Sequence, residues 1–188
     1  MIIAGLRDQN AKAVVFDFDC TISLTHSGGR VRKERFPQFL EGNISPCFKT
    51  ILPMLINEGF QVGVATFADG FRAPATHVAG EEMIRQFFQH HFKDDFRDRI
   101  PIVAAYPENY QAEEGYKQIG LTSPMPMNKE YHLVKLAHTW GLKPSEMVLV
   151  DDDLQNVEAA RQAGHHVRFV RIRQGVTKED MLDPSRKK

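Results

Sequence analysis

The sequence has little that would hold a fold together covalently. Its two cysteines, Cys20 and Cys47, are too few for a disulfide framework in 188 residues, and free thiols suit a reducing compartment. Charge of either sign is not in excess. Twenty-four basic residues balance twenty-four acidic ones, so no long-range field argues for nucleic acid or an anionic membrane as partner. No run approaches the ~20 apolar residues that span a bilayer. The apolar opening Met1-Ile2-Ile3-Ala4-Gly5-Leu6 is much shorter than a signal-peptide core, and charge follows at Arg7 and Asp8. A cytoplasmic protein is therefore the expectation. Internal repeats and low-complexity tracts are also missing. What remains, 42% hydrophobic and 26% charged residues, is the composition of an ordinary globular protein, and the length predicts one domain over residues 1–188.

Five short apolar runs, four of them rich in valine and isoleucine, predict strands at 13–16, 61–65, 100–105, 147–150 and 166–172. They show little alternation, as strands buried on both faces do. Between them, apolar residues recur at three and four positions over 47–58, 80–92, 129–140 and 155–163, which predicts helices. Gly59 and Gly141 stand where helix C-caps are expected. Strand and helix thus alternate, and the fold class that follows is α/β, a doubly wound, mainly parallel five-stranded sheet. Two segments break the rhythm. Residues 23–45, with Gly28-Gly29, and 106–128, with Pro107, Pro124 and Pro126, read as long flap loops of the kind that often act as lids. Residues 183–188 read as a frayed tail.

Val14-Val15-Phe16 runs straight into Asp17-Phe18-Asp19, and Met147-Val148-Leu149-Val150 runs into Asp151-Asp152-Asp153. Charge at the end of a buried strand is costly, and the carboxyl edge of a parallel sheet is where such folds bind ligands. If the two strands are parallel neighbours, several carboxylates converge, and their repulsion calls for a hard, oxygen-liganded cation such as magnesium. The competing reading is that the aspartates merely cap helices or make turns. It fits Asp153, the expected N-cap of the helix over 155–163, but one acidic residue per helix is enough for capping.

Asp17-Phe18-Asp19-Cys20-Thr21 resembles the first motif of the haloacid dehalogenase superfamily. The resemblance implies a second motif, an apolar strand ending in threonine or serine, matched by Val62-Gly63-Val64-Ala65-Thr66. It implies a third-motif lysine at a helix start, matched by Lys129, and a fourth-motif acidic pair, matched by Asp151-Asp152. The four occur in order across residues 14–156. Asn128-Lys129-Glu130-Tyr131-His132 and Asp151 through Asn156 look most like the small eukaryotic magnesium-dependent phosphatases, from which the 106–128 insertion departs. A receiver domain also gathers aspartates, a threonine and a lysine around magnesium, but needs no acid two residues beyond its phosphorylated aspartate. Neither long segment is large enough for a full cap domain, so little or no cap is expected.

The resemblance implies a magnesium-dependent phosphomonoester hydrolase in which Asp17 is the nucleophile and forms an aspartyl-phosphate. Asp19 then protonates the leaving oxygen and later accepts a proton from water. Departure of a halide would need no such acid, so Asp19 favours phosphoester chemistry. Mg2+ is expected on Asp17, the backbone carbonyl of Asp19 and Asp152, with Asp151 either a direct ligand or a supporting group. Thr66, with backbone N–H groups just beyond it at Phe67, is expected on the phosphate. Lys129, a cation placed against a helix dipole, is expected on the phosphate and on Asp17. Asn156 either orients a water ligand or Asp152, or is solvated. His132 reads as a surface or packing residue outside the site, and Cys20 as a small buried filler.

The substrate is expected to be phosphorylated, either a small molecule such as a sugar phosphate or a phosphoprotein such as one bearing phosphotyrosine; no aromatic-interleaved basic track favours nucleic acid. Arg30, Arg32, Lys33 and Arg35 form a basic cluster that is either an anion attractor or solvated loop charge. Asp69 and Arg72 are flagged as specificity residues. The alternatives are a phosphotransferase or mutase of the same superfamily, and a catalytically silent phosphate-binding module.

Overall fold

A computed structural model describes residues 1–182 except 72, 93–95 and 97; Arg72 and the 183–188 tail lie outside the described residues. The chain runs α1 (Ile2–Asp8), β1 (Ala13–Phe16), a helical turn at Phe18–Ile22, β2 (Arg30–Arg32), α2 (Phe36–Leu40), α3 (Pro46–Asn57), β3 (Gln61–Thr66), β4 (His77–Ala79) and α4 (Gly80–Phe92). It continues with β5 (Ile102–Ala104), a 3-10 turn at Pro107–Tyr110, α5 (Glu113–Gln118) and α6 (Glu130–Trp140). Then come β6 (Met147–Asp151), α7 (Leu154–Gln162), β7 (His166–Phe169) and α8 (Lys178–Met181). Among the described residues no helix is long and apolar enough to cross a membrane.

Five parallel strands form one sheet in the order β5-β3-β1-β6-β7, the doubly wound α/β arrangement that the alternation predicts. β1 is central and buried on both faces, and its alternate residues feed two cores. Val14 and Phe16 pack with Phe18, Phe48, Leu52, Phe87 and Phe88 on the side of α3 and α4. Ala13 and Val15 pack with Leu133, Leu136 and Ala160 on the side of α6 and α7. The first core is knitted by edge-to-face rings, Phe16 on Phe48 and Phe18 on Phe87, each pair with centroids 5.0 Å apart. Truncating one such buried phenylalanine to alanine costs about 3–5 kcal/mol, so the floor beneath the first acidic motif is firmly held.

Register then brings the strand ends together. Phe16 lies opposite Val64 on β3 and Val150 on β6, so the next residues, Asp17, Ala65 and Asp151, reach the carboxyl edge at one level. The Asp17 N–H donates to Val150 O at 2.9 Å, continuing the ladder one step past β1. Gly141, at φ 64, closes α6 as expected, and Gly59, at φ 84, follows α3.

The two presumed loops are built differently from the expectation. Within 23–45 lie β2 and α2, and a bridge between Ser23 and Ile44 closes the base. β2 pairs antiparallel with β4, Arg30 opposite Ala79 and Arg32 opposite His77, forming a two-stranded ribbon separate from the main sheet. Segment 106–128 carries a 3-10 turn and α5, and its Tyr110 and Met125 bury against Ala105 and Tyr131 in a satellite core. Strands of three half-exposed residues carry no readable alternation, which is why the ribbon is not legible in the sequence.

Candidate active site

Asp17, Asp151 and Asp152 present carboxylate oxygens that all lie within 4.8 Å of one another. Asp17 and Asp151 are buried and Asp152 is half-buried. Burial pushes the Asp17 carboxyl well above the usual carboxylate range. Lys129 pulls it down, while Asp151 and Asp19 reinforce the rise. Burial also lifts Asp151 to about 6, against Lys129, the Asp153 N–H and Asn156, and raises Asp152 against Arg173. Three carboxyls driven upward together form a cluster that disfavours its own charge. An all-oxygen donor set of this kind fits a hard divalent cation such as Mg2+.

Asn156 donates from Nδ2 to both oxygens of Asp151, at 3.3 and 3.2 Å. It is buried rather than solvated, and it is directed at Asp151 rather than Asp152. α7 begins only three residues after β6 ends, and its first turn therefore passes over Asp151. The Asp153 N–H also donates to Asp151, at 2.8 Å, while the Asp153 side chain accepts from Gln155 N at 2.8 Å and caps α7 as expected.

Lys129 is the N-cap residue of α6 and is 2% exposed. Its ammonium donates to Asp17 Oδ1 at 2.7 Å and to Ala65 O at 2.8 Å, and stands 4.1 Å from the centroid of the Phe67 ring. A cation that opposes the helix dipole is thus compensated by a carboxylate, a carbonyl and a ring face. Thr66, the last residue of β3, is buried, and its Oγ1 accepts the Ala68 N–H at 3.1 Å, leaving the hydroxyl proton to donate elsewhere. His132 is fully buried rather than superficial. Its Nε2 lies 3.0 Å from both Thr66 O and Ala105 O, joining the ends of β3 and β5. Burial, with Lys129 adding, pushes it down to about 3, so it is a neutral brace.

Asp19 is held from the other side. Ser27 donates to it twice, from N to Oδ1 at 2.9 Å and from Oγ to Oδ2 at 3.0 Å. Arg173, beyond β7, reaches Asp152 Oδ2 with Nε at 3.1 Å. Neither Ser27 nor Arg173 stands out in the sequence, because each enters from a loop with no motif around it. Asp69 lines the same cavity, and it accepts from Phe71 N, Tyr106 N and Asn109 Nδ2, at 2.8, 3.2 and 3.0 Å, bracing the turn after β3 against segment 106–128. Cys20 is buried at φ 58, and burial raises its thiol to about 11, consistent with an inert filler.

The carboxylates, Thr66, Lys129, Asn156 and Arg173 share one cavity of about 600 Å3. Its floor is Asp17, Thr66, Lys129, Asp151 and Asp152, and its far wall includes Arg30, Phe71, Tyr106 and Asn109. Of the basic cluster, Arg30 alone lines this cavity; Arg32 and Arg35 line an adjoining groove that shares His26, Gly28 and Arg30 with it.

No protein-family model matches the chain, and no curated protein matches it in sequence. Solved structures match it in fold. One is the N-terminal part of a Bacteroides fragilis protein containing a phosphatase domain, complexed with Mg, with a TM-score of 0.59 at 18% identity. That match covers 96% of this chain and 41% of the other, so this chain spans about two fifths of the chain in that structure. A provisionally assigned HAD-like phosphatase from Mesorhizobium loti gives 0.55 at 16% identity, covering 91% of this chain and 82% of that one. A provisionally assigned phosphoglycolate phosphatase from Haemophilus somnus gives 0.50 at 14% identity, covering 87% and 86%. At these identities the likeness is one of fold: the parallel sheet and its flanking helices form the α/β core found in HAD-like phosphatases.

Proposed function

We propose that the chain is a magnesium-dependent phosphomonoester hydrolase that works through an aspartyl-phosphate on Asp17. One observation carries the reading: a buried carboxylate, Asp17, is ion-paired to Lys129 at 2.7 Å and lies within 4.8 Å of two further carboxylates at the edge of a parallel sheet. A merely structural ion pair needs one acid, whereas this one sits among three. The fold likeness agrees with it, and the Bacteroides fragilis structure with that fold is a complex with Mg.

Mg2+ would be held by Asp17, Asp152 and the Asp19 carbonyl, with Asp151 beside it, and would supply charge neutralisation for the phosphate oxygens. The protein's own groups do the rest. An Asp17 carboxylate oxygen attacks phosphorus, the ester P–O bond breaks, and the leaving oxygen takes the proton of Asp19. A water then gives its proton to Asp19 while its oxygen attacks the same phosphorus. The bond to Asp17 breaks and inorganic phosphate leaves. Lys129 and the Thr66 hydroxyl, with the Phe67 N–H, hold the phosphate through both steps.

The substrate is a phosphorylated molecule that enters the cavity beside Arg30 and Tyr106. The finer resemblance to small eukaryotic phosphatases rests on residues 128–156 alone, and the satellite core of segment 106–128 sets this chain apart from them. The test is hydrolysis of an aryl phosphate with Mg2+, with EDTA, and by Asp17→Asn. Activity should require the metal and fall by a factor on the order of 10^3 or more in the variant. Turnover that survives Asp17→Asn overturns the assignment.

A further inference from the structure

We propose that Ser27 is the positioning residue for Asp19, so that the flap, rather than the sheet, sets the orientation of the acid/base group. This rests on the hydrolase reading above. Asp19 lies just beyond β1, yet no group of the main sheet holds its carboxylate. Both of its oxygens are taken by Ser27, Oδ1 by the backbone N–H at 2.9 Å and Oδ2 by the hydroxyl at 3.0 Å.

The hydroxyl is itself directed. Ser27 Oγ accepts the Gly29 N–H at 3.0 Å, which leaves its single hydrogen to point at Asp19. His26 is the other candidate, with Nδ1 3.4 Å from Asp19 Oδ2. That nitrogen accepts the Gly28 N–H at 2.8 Å, so it carries no proton to give to Asp19. Ser27 therefore holds the carboxylate by two donors on its flap side, and a proton gained or lost in either half-reaction is confined to the side facing the cavity.

The flap is pinned where Ser27 needs it. Gly29 adopts φ 78, and a Cβ there would lie 3.2 Å from Ala68 Cα; only glycine lets the flap approach the turn after Thr66 so closely. The Gly29 carbonyl accepts the Gly80 N–H at 3.2 Å, and the β2–β4 ribbon continues directly from this contact. The chain that carries Ser27 is thus fixed against the same turn that follows the phosphate-facing Thr66.

The experiment is kcat/KM for wild type, Ser27→Ala, Ser27→Thr and Asp19→Asn over a series of phosphate monoesters, from activated aryl to unactivated alkyl. This ratio reports the steps through phosphoryl transfer, where protonation of the leaving oxygen matters only for poor leaving groups. Ser27→Ala should lose roughly 10- to 100-fold on alkyl esters, and little on activated aryl esters. Ser27→Thr, which keeps the hydroxyl, should restore most of the loss. In the Asp19→Asn background Ser27→Ala should add nothing.

A loss equal across the series, or one that persists in the Asp19→Asn background, makes Ser27 a folding residue and overturns the proposal. So does an unchanged profile in Ser27→Ala. A wild-type protein without activity on any ester, or with activity indifferent to Asp19→Asn, overturns the hydrolase reading itself, and is told apart by the behaviour of the parent protein.

Discussion

Asp17 and Asp19 are separated by one residue, Phe18, and are held by opposite kinds of structure. Asp17 is fixed by long-range order: its N–H continues the ladder to Val150 O, and its side chain meets Lys129 from α6 beneath Phe67. Asp19 is fixed by a short loop, with Ser27 closing on it and a three-residue ribbon behind. Asp17 inherits the stiffness of a sheet buried on both faces. Asp19, the acid/base group of the reading proposed above, inherits the geometry of a flap whose support is a few turns and two glycines. Substitutions on the sheet side should therefore change activity and stability together, and those on the flap side should change activity first.

The largest separation is expected at Lys129. Lys129→Met removes the ammonium from Asp17 and should lower kcat/KM roughly 10^2- to 10^3-fold on an aryl phosphate. It should also lower thermal stability, because Asp17 then lies buried beside Asp151 without its cation. Loss of Lys129 removes the main influence that lowers the Asp17 pKa, so the variant carboxyl stays protonated to higher pH. The stability gap between wild type and variant should accordingly shrink as pH falls from 8 to 5. A gap that widens on acidification would show that the pair is not what holds this end of the sheet.

That same sheet edge was legible in the sequence, and the flap edge was not. Val14 through Asp17 and Met147 through Asp151 are apolar runs that end in acid, and a parallel register needs nothing else to bring them level. Lys129 was legible because a lysine at a helix start calls for an anion. A contact with Asp151 was not among the roles open to Asn156, since its target depends on how tightly α7 follows β6, a matter of three residues of chain path. Ser27 and Arg173 left no signal, because a serine or an arginine in a loop acquires a role only when distant segments pin that loop. β2 and β4 pair across the intervening helices with half-exposed residues, and Tyr110 with Met125 forms the satellite core without any period. Periodicity reveals elements that bury a whole face, and these bury only parts of one.

His132 tests the sheet side through pH. Its folded pKa is held near 3 by burial, below the ordinary value of 6.5. Between those values the unfolded chain binds a proton that the folded chain refuses. The stability it contributes is complete above pH 6.5 and is lost as pH falls toward 3, at roughly 1 kcal/mol per pH unit. His91, pushed down to about 4 mainly by burial, adds in the same direction. In urea unfolding followed from pH 7 to 4, His132→Gln should flatten the slope by about that amount. An unchanged slope would remove His132 from the acid response.

On the flap side, Gly80 sits at φ 58, and a Cβ there would lie 2.4 Å from the Gly70 backbone nitrogen. Gly80→Ala should cost about 1–2 kcal/mol for the left-handed conformation and more for the backbone contact. Leu52→Ala, in the phenylalanine-rich core, should cost about 2–5 kcal/mol. If flap geometry controls Asp19, Gly80→Ala should lower kcat/KM for alkyl phosphates while Leu52→Ala leaves it unchanged. Equal kinetic effects at equal loss of stability would erase the distinction between the two regions.

The smallest effect is expected at Arg173, whose side chain is 69% exposed and whose carboxylate partner is Asp152. Pairs this exposed contribute about 0–1 kcal/mol, so Arg173→Ala should leave the thermal midpoint nearly unchanged. It should still act on the acidic cluster, because the guanidinium lowers the Asp152 pKa and at the same time occupies an oxygen that a divalent cation would use. Freed of that contact, Asp152 gains a coordination site and loses a neutralising neighbour. Both changes favour an incoming cation, and the range for exposed pairs corresponds to no more than about a fivefold tightening. Titrating the thermal midpoint with Mg2+ measures this without substrate. Tighter binding in Arg173→Ala ties the loop after β7 to the carboxylates of the sheet, and weaker binding would place Arg173 among the groups that hold the metal-facing side chains in order.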